Sequence, residues 1–183
     1  MAQIDKYKKV SFNGGTILGI IITFIIIGGL IFLMVPTEKE RIYAEYSAVS
    51  GSTLPANHNL NEVSLKKLDK KIEKMDEDEY LIVYYGNTDC SGCLANLGTI
   101  VNKTQNILKV DEVLYLDSTG DFTVTELRET LGNDKIGDKT PEIWVFQGGK
   151  LIVSTADFYN EEDGIKWDTF WLRVEHLMLS DNK

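Results

Sequence analysis

YLIVYYGNTDCSGC, residues 80–93, is the stretch whose reading decides the fold. Leu81 to Tyr85 is a run of apolar, β-branched and aromatic residues without alternation, which predicts a central strand covered on both faces. Gly86-Asn87-Thr88-Asp89 breaks the run, and Cys90 and Cys93 follow. They are the only cysteines in 183 residues, and they stand at the spacing that suits paired redox work. Cys90 is expected at the start of a helix, where unpaired N–H groups and the helix dipole stabilise a thiolate. Three residues on, Cys93 lies on the same face. It can then attack a mixed disulfide formed at Cys90. Ser91 and Gly92 are small and leave the sulfur approachable. Asp89 acts in the opposite sense, because a neighbouring carboxylate raises a thiol pKa.

Downstream, the apolar residues Leu94, Leu97, Ile100, Val101, Ile107 and Leu108 predict a helix packed on the sheet, with Gly98 a weak spot or a close-packing point. EVLYLD, 112–117, reads as a second strand. Thr123 or Thr125 is positioned to cap a helix that Gly132-Asn133 ends. Gly137 to Pro141 reads as a loop. EIWVFQ, 142–147, and KLIVST, 150–155, flank Gly148-Gly149, a strong hairpin signal. Trp144 and Phe146 are therefore expected in the core. The segment 161–179 carries Ile165, Trp167, Phe170, Trp171, Val174, Leu177 and Met178 on a helical period, with His176 near its end.

Upstream, Glu62 to Met75 reads as an amphipathic helix, with Val63, Leu65, Leu68, Ile72 and Met75 on one face, lysines opposite and Ser64 as a cap. GSTLPANHNLN, 51–61, reads as an uncharged linker, and its His58 as a solvated side chain. Glu38 to Ser50 is a short helix candidate with Ile42, Tyr43 and Tyr46 in a weak stripe. TILGIIITFIIIGGLIFLMV, 16–35, is almost wholly apolar. As a helix it would span roughly 30 Å, the thickness of a bilayer core. A cleaved signal peptide and a buried helix are the competing readings. The run ends in Leu33-Met34-Val35-Pro36 without a small-residue cleavage pattern, which favours an uncleaved anchor. Lys6, Lys8 and Lys9 on the N-terminal flank favour that end inside and the C-terminal part outside.

The expected organisation is therefore a short basic cytoplasmic tail over 1–15 and a transmembrane helix over 16–35. A juxtamembrane segment and linker occupy 36–61, and an α/β domain 62–183, a mixed sheet flanked by helices on both faces. The expected location is the cell membrane, single-pass, with the domain extracytoplasmic. The formal net charge is -9, a sign that disfavours nucleic acid as a partner. A zinc site would need four ligands where only two cysteines and the separate His58 and His176 exist, so no metal is expected. A purely structural disulfide would close too small a loop to restrict the unfolded chain much. No cofactor is expected.

LIVYYGNTDCSGC and TPEIWVFQGGKLI together resemble the thioredoxin-like fold over about 62–179. The YYG-x-x-x-C-x-x-C form is similar to the thioredoxin-like bacteriocin transport accessory proteins of Gram-positive bacteria. The resemblance implies Cys90 as attacking and Cys93 as resolving cysteine. It also implies Pro141 as a cis-proline facing the disulfide, and Thr140 offering its backbone to a substrate. The chain departs from the family pattern at four places: Asp89 where a tryptophan is usual, Ser91-Gly92 between the cysteines, Tyr84 at the place of a buried aspartate, and a position near Val113 at that of a buried lysine. Two functions follow as expectations. One is a membrane-anchored thiol–disulfide oxidoreductase with a protein thiol or disulfide substrate and a membrane electron donor. The other is a non-catalytic scaffold or accessory protein of a secretion, bacteriocin-export or conjugation system.

Overall fold

The computed structural model describes residues 14–180. The expected basic tail lies outside the described residues up to residue 13. The chain forms two compact units, Met1–Pro36 and Thr37–Lys183.

In the first unit, α1 (Gly14–Met34) is a helix of 21 residues. Thr23 returns a hydrogen bond of 2.9 Å from its hydroxyl to Gly19 O. The expectation of a transmembrane span is corrected here. Among the described residues no helix is long and apolar enough to cross a membrane. With the span go the expectations built on it: the anchored oxidoreductase, the membrane electron donor, and the single-pass, extracytoplasmic location.

In the second unit, α2 (Glu38–Ser47) opens on a capping box between Thr37 and Glu40. Then follow β1 (Leu60–Glu62), α3 (Leu65–Ile72), β2 (Tyr80–Gly86), α4 (Ser91–Asn102), β3 (Val113–Asp117) and α5 (Val124–Leu131). The chain continues with β4 (Glu142–Gln147), β5 (Lys150–Ser154), the small hairpin β6 (Tyr159–Asn160) and β7 (Gly164–Ile165), and α6 (Trp167–Ser180). A π-helical turn, Lys103–Ile107, extends α4. The main sheet has the order β1-β3-β2-β4-β5. β1, β3 and β2 are parallel, and β4 and β5 are antiparallel to their neighbours. This is a thioredoxin-like arrangement.

The unbroken apolar run of β2 is explained by its two covered faces. Ile82 and Tyr84 pack with Leu97, Ile100, Phe170 and Val174 from α4 and α6. Leu81, Val83 and Tyr85 pack with Leu68 and Leu127 from α3 and α5. The β4–β5 turn uses Gly148 and Gly149 at φ 52° and 77°, the sign that a two-residue hairpin turn of this kind requires. Trp144 and Phe146 are buried, as expected of a core strand. Thr123 caps α5 in a second capping box, and Gly132 ends it in the left-handed region. Ser64 stands at the N-cap of α3 but its side chain makes no capping bond. His176 is exposed on α6.

Residues 51–61 are not a free linker. Thr53 donates its N–H and its hydroxyl to Leu94 O, at 3.0 and 2.8 Å, and accepts from Gly98 N–H at 2.9 Å. A β-carbon on Gly98 would lie 2.7 Å from Thr53 O, so this glycine is a close-packing point. Asn59 donates to Thr104 and to Val110 O. Leu54 and Leu60 enter the core together with Ile42 and Tyr46 of α2. His58, expected in solvent, is 2% exposed. Its Nδ1 accepts from Leu60 N–H at 3.2 Å, and its Nε2 faces Lys39 O at 3.0 Å. The first bond needs an unprotonated Nδ1, so the ring is neutral and Nε2–H donates.

Burial holds the His58 pKa below its ordinary value, and the nearby Lys39 charge adds to this. The folded state therefore binds fewer protons than the unfolded state. Stability is full above the unfolded pKa of about 6.5 and falls as pH drops from there through the lower folded value. Urea midpoints taken at pH 7.5 and pH 5.5 should differ more for the unaltered protein than for His58→Ala. Equal differences would show that His58 does not carry the acid sensitivity.

Candidate functional site

The site is built where β2 runs out. Asn87 turns the chain by accepting the Asp89 N–H at 2.8 Å and is tied to the Ser118 hydroxyl after β3. Cys90 then serves as N-cap of α4, and its Sγ accepts the Cys93 N–H at 3.0 Å. The expected helix start is thus real, and the first sulfur sits on an unpaired backbone donor. Cys90 and Cys93 form a disulfide with Cα atoms 5.1 Å apart. Cys90 is half-buried, whereas Cys93 is fully buried. An incoming sulfur can therefore reach Cys90 but not Cys93.

The loop before β4 forms the other wall. The Thr140–Pro141 bond is cis. A β-carbon on Gly92 would lie 3.2 Å from Pro141 Cδ and 3.9 Å from Cys90 Sγ, so Pro141 rests directly against the residue between the cysteines. A side chain at 92 would require Pro141 to give by a few tenths of an ångström. The structure thus brings Cys90, Cys93 and Pro141 together, with Thr140 half-buried beside them.

One member of the site went unread in the sequence. Glu142, taken there only as the first residue of a strand, is 3% exposed. Its carboxylate accepts from Gly137 N–H at 2.9 Å, Lys139 N–H at 3.3 Å and Trp144 Nε1–H at 2.8 Å. The first two bonds draw the 137–141 loop onto the end of β4, which places Pro141. Burial outweighs these bonds and raises the Glu142 pKa. A charged residue directly after Thr-Pro, at the start of an otherwise apolar strand, was the available signal. Next to it, a cavity of about 540 Å³ is lined by Pro141, Glu142, Lys139, Thr155, Tyr159 and Ile165. Lys139 Nζ lies 3.0 Å over the Tyr159 ring. Among the described residues no group of three or more His, Cys, Asp or Glu is arranged to hold a metal ion.

No protein-family model matches the chain, and no curated protein matches it. Solved structures do. Thioredoxin f from spinach chloroplast, short form, is 16% identical, covers 67% of this chain and 95% of its own, and superposes with a TM-score of 0.48. Thioredoxin f2 of Chlamydomonas reinhardtii is 14% identical over 64% of this chain and 94% of its own, with a TM-score of 0.46. Oxidised thioredoxin O2 from Arabidopsis thaliana is 16% identical over 69% of this chain and 96% of its own, with a TM-score of 0.44.

The role of Glu142 is open to direct test. Glu142→Ala leaves three donors without their acceptor and should cost about 3 kcal/mol in urea unfolding. Glu142→Gln keeps an acceptor for Gly137 and Trp144 but turns an NH₂ toward Lys139 N–H, and should cost about 1 kcal/mol. Equal losses in the two variants would mean that the side chain fills space rather than holding the loop.

Proposed function

We propose that this protein is a thiol–disulfide oxidoreductase that works through Cys90 and Cys93. The reading is supported above all by one observation: a disulfide at the N-terminus of a helix in a thioredoxin-like fold, with one sulfur accessible and the other buried. Cys90 thiolate attacks one sulfur of a protein disulfide, forms a mixed disulfide and releases the first substrate thiolate. Cys93 thiolate then attacks Cys90 Sγ, which breaks the mixed disulfide and releases the second. The substrate gains two electrons and the pair loses two. Run in reverse, the same steps donate a disulfide.

In this reading Thr140 and Pro141 bind an extended segment of the substrate beside the reacting sulfur. The adjoining cavity accepts a side chain that flanks the substrate cysteine. The lead of Tyr84-Tyr85-Gly86 into Cys90 supports a likeness to the thioredoxin-like bacteriocin transport accessory proteins, a finer reading that rests on the motif alone.

Two variants separate the roles. With dithiothreitol as electron source and a protein disulfide as substrate, Cys90→Ser should fall to the uncatalysed rate. Cys93→Ser should accumulate a mixed disulfide visible as an added mass. Full turnover by Cys90→Ser would overturn the assignment. The equilibrium with dithiothreitol or glutathione gives the direction of flow: near about -270 mV the pair is a reductant, and near about -120 mV a disulfide donor. A pair that cycles in neither buffer would make the domain a scaffold.

A further inference from the structure

Gly86 ends β2 against the back of the disulfide. A β-carbon there would lie 2.6 Å from Tyr84 Oη and 2.9 Å from Cys93 Sγ. The phenol oxygen and the sulfur therefore face the same small space, and their separation cannot exceed the sum of those two distances. Both side chains are fully buried. The Tyr84 hydroxyl is also one of two buried side-chain polar atoms that lack a hydrogen-bond partner among the described residues. An unpaired hydroxyl in such a place costs about 1–3 kcal/mol. The ring cannot swing it out to water, because it is stacked on Tyr115 at 5.8 Å and pairs across the ladder in register with the same residue. Tyr46 donates its hydroxyl hydrogen to Tyr115 Oη at 3.3 Å, and although Tyr46 is close enough to influence Tyr84, no hydrogen bond of good geometry joins the Tyr84 hydroxyl to it.

A disulfide sulfur is a poor acceptor, whereas a thiolate is a strong one. We propose that Tyr84 is a positioning residue whose buried hydroxyl donates a hydrogen bond to the Cys93 thiolate once the disulfide opens. This rests on the oxidoreductase reading above and names what serves its buried sulfur. When a substrate thiolate attacks Cys90 Sγ, a bond forms at Cys90. The S–S bond breaks, and its electron pair leaves on Cys93. The phenol then meets a charged acceptor in a fully buried place. In the opposite direction, Cys93–SH gives its proton to solvent, and the hydrogen bond holds the thiolate for its attack on Cys90 Sγ. Tyr84 keeps its own proton throughout. Burial first, and the neighbouring Tyr46 next, hold its pKa well above the usual phenol value, so it acts as a donor and not as a base. Gly86 is what leaves the space open.

The test isolates Cys93 in the full chain as Cys90→Ser and follows its ionisation by ultraviolet thiolate absorbance. Adding Tyr84→Phe should raise the Cys93 pKa by about one unit, a tenfold change. Adding Tyr115→Phe, which strips a hydroxyl from the same cluster, should leave it unchanged. In the chain with both cysteines, at a pH above the Cys93 pKa of both proteins, Tyr84→Phe should shift the dithiothreitol equilibrium about tenfold toward the disulfide, or about 30 mV more reducing. The oxidised Tyr84→Phe protein should unfold at the same or a higher urea concentration, since it loses an unpaired buried group. An unshifted Cys93 titration, an equal shift in Tyr115→Phe, or a lower unfolding midpoint of oxidised Tyr84→Phe would each overturn the proposal. If the Cys93 shift is present but the unaltered pair exchanges with no dithiol or disulfide, the oxidoreductase reading fails and the hydrogen bond stands.

Discussion

β2 is paired along both edges and buried on both faces, and the rest of the domain is arranged to satisfy that constraint. Each of its backbone N–H and C=O groups must find a partner inside the protein, which β3 supplies in parallel register and β4 in antiparallel register. Each of its side chains must also be covered, so helices are needed on both sides of the sheet. α2, α4 and α6 lie on one side and α3 and α5 on the other. A strand so enclosed can end only at a residue that lets the chain escape, and here that residue is Gly86.

The chemistry follows from where that escape leads. The chain turns through Asn87 into the first turn of α4, which sets Cys90 on a free backbone N–H at the surface and Cys93 one turn deeper. The exposure of one sulfur and the burial of the other are thus consequences of the helix direction and not of the cysteines themselves. The opposite wall depends on a different force. Pro141 reaches Gly92 because a buried carboxylate at 142 collects donors from the preceding loop. That group is kept in a place where burial works against its charge. Such a cost is typical of groups that hold a site in shape rather than add to stability.

Behind the disulfide the core turns from aliphatic to phenolic. Tyr46, Tyr84 and Tyr115 form a layer in which burial raises every hydroxyl pKa, that of Tyr46 to about 12. The protonated Tyr84 phenol, facing the same space as the buried sulfur, gives it a polar neighbour without fixed charge. A buried carboxylate in the same position would set a negative charge against a developing thiolate.

The amino-acid sequence by itself determined the elements whose signals are local. Five consecutive apolar residues at 81–85 made a central strand. Paired glycines at 148 and 149 made a hairpin, because only a positive φ closes so short a turn. Thr123, three residues before a glutamate, opened a helix. The spacing of Cys90 and Cys93 marked the site. The tertiary structure alone decided what residues 51–61 do. Their anchors are short polar side chains, Thr53, His58 and Asn59, whose partners stand 19 to 51 residues away in the chain. Uncharged polar residues with Gly and Pro carry the same local signature whether they are solvated or pinned. The same holds for Glu142 and Tyr84. A side chain's identity shows that it can accept or donate a hydrogen bond, but only the packing of distant segments settles which groups it meets and whether water can replace them.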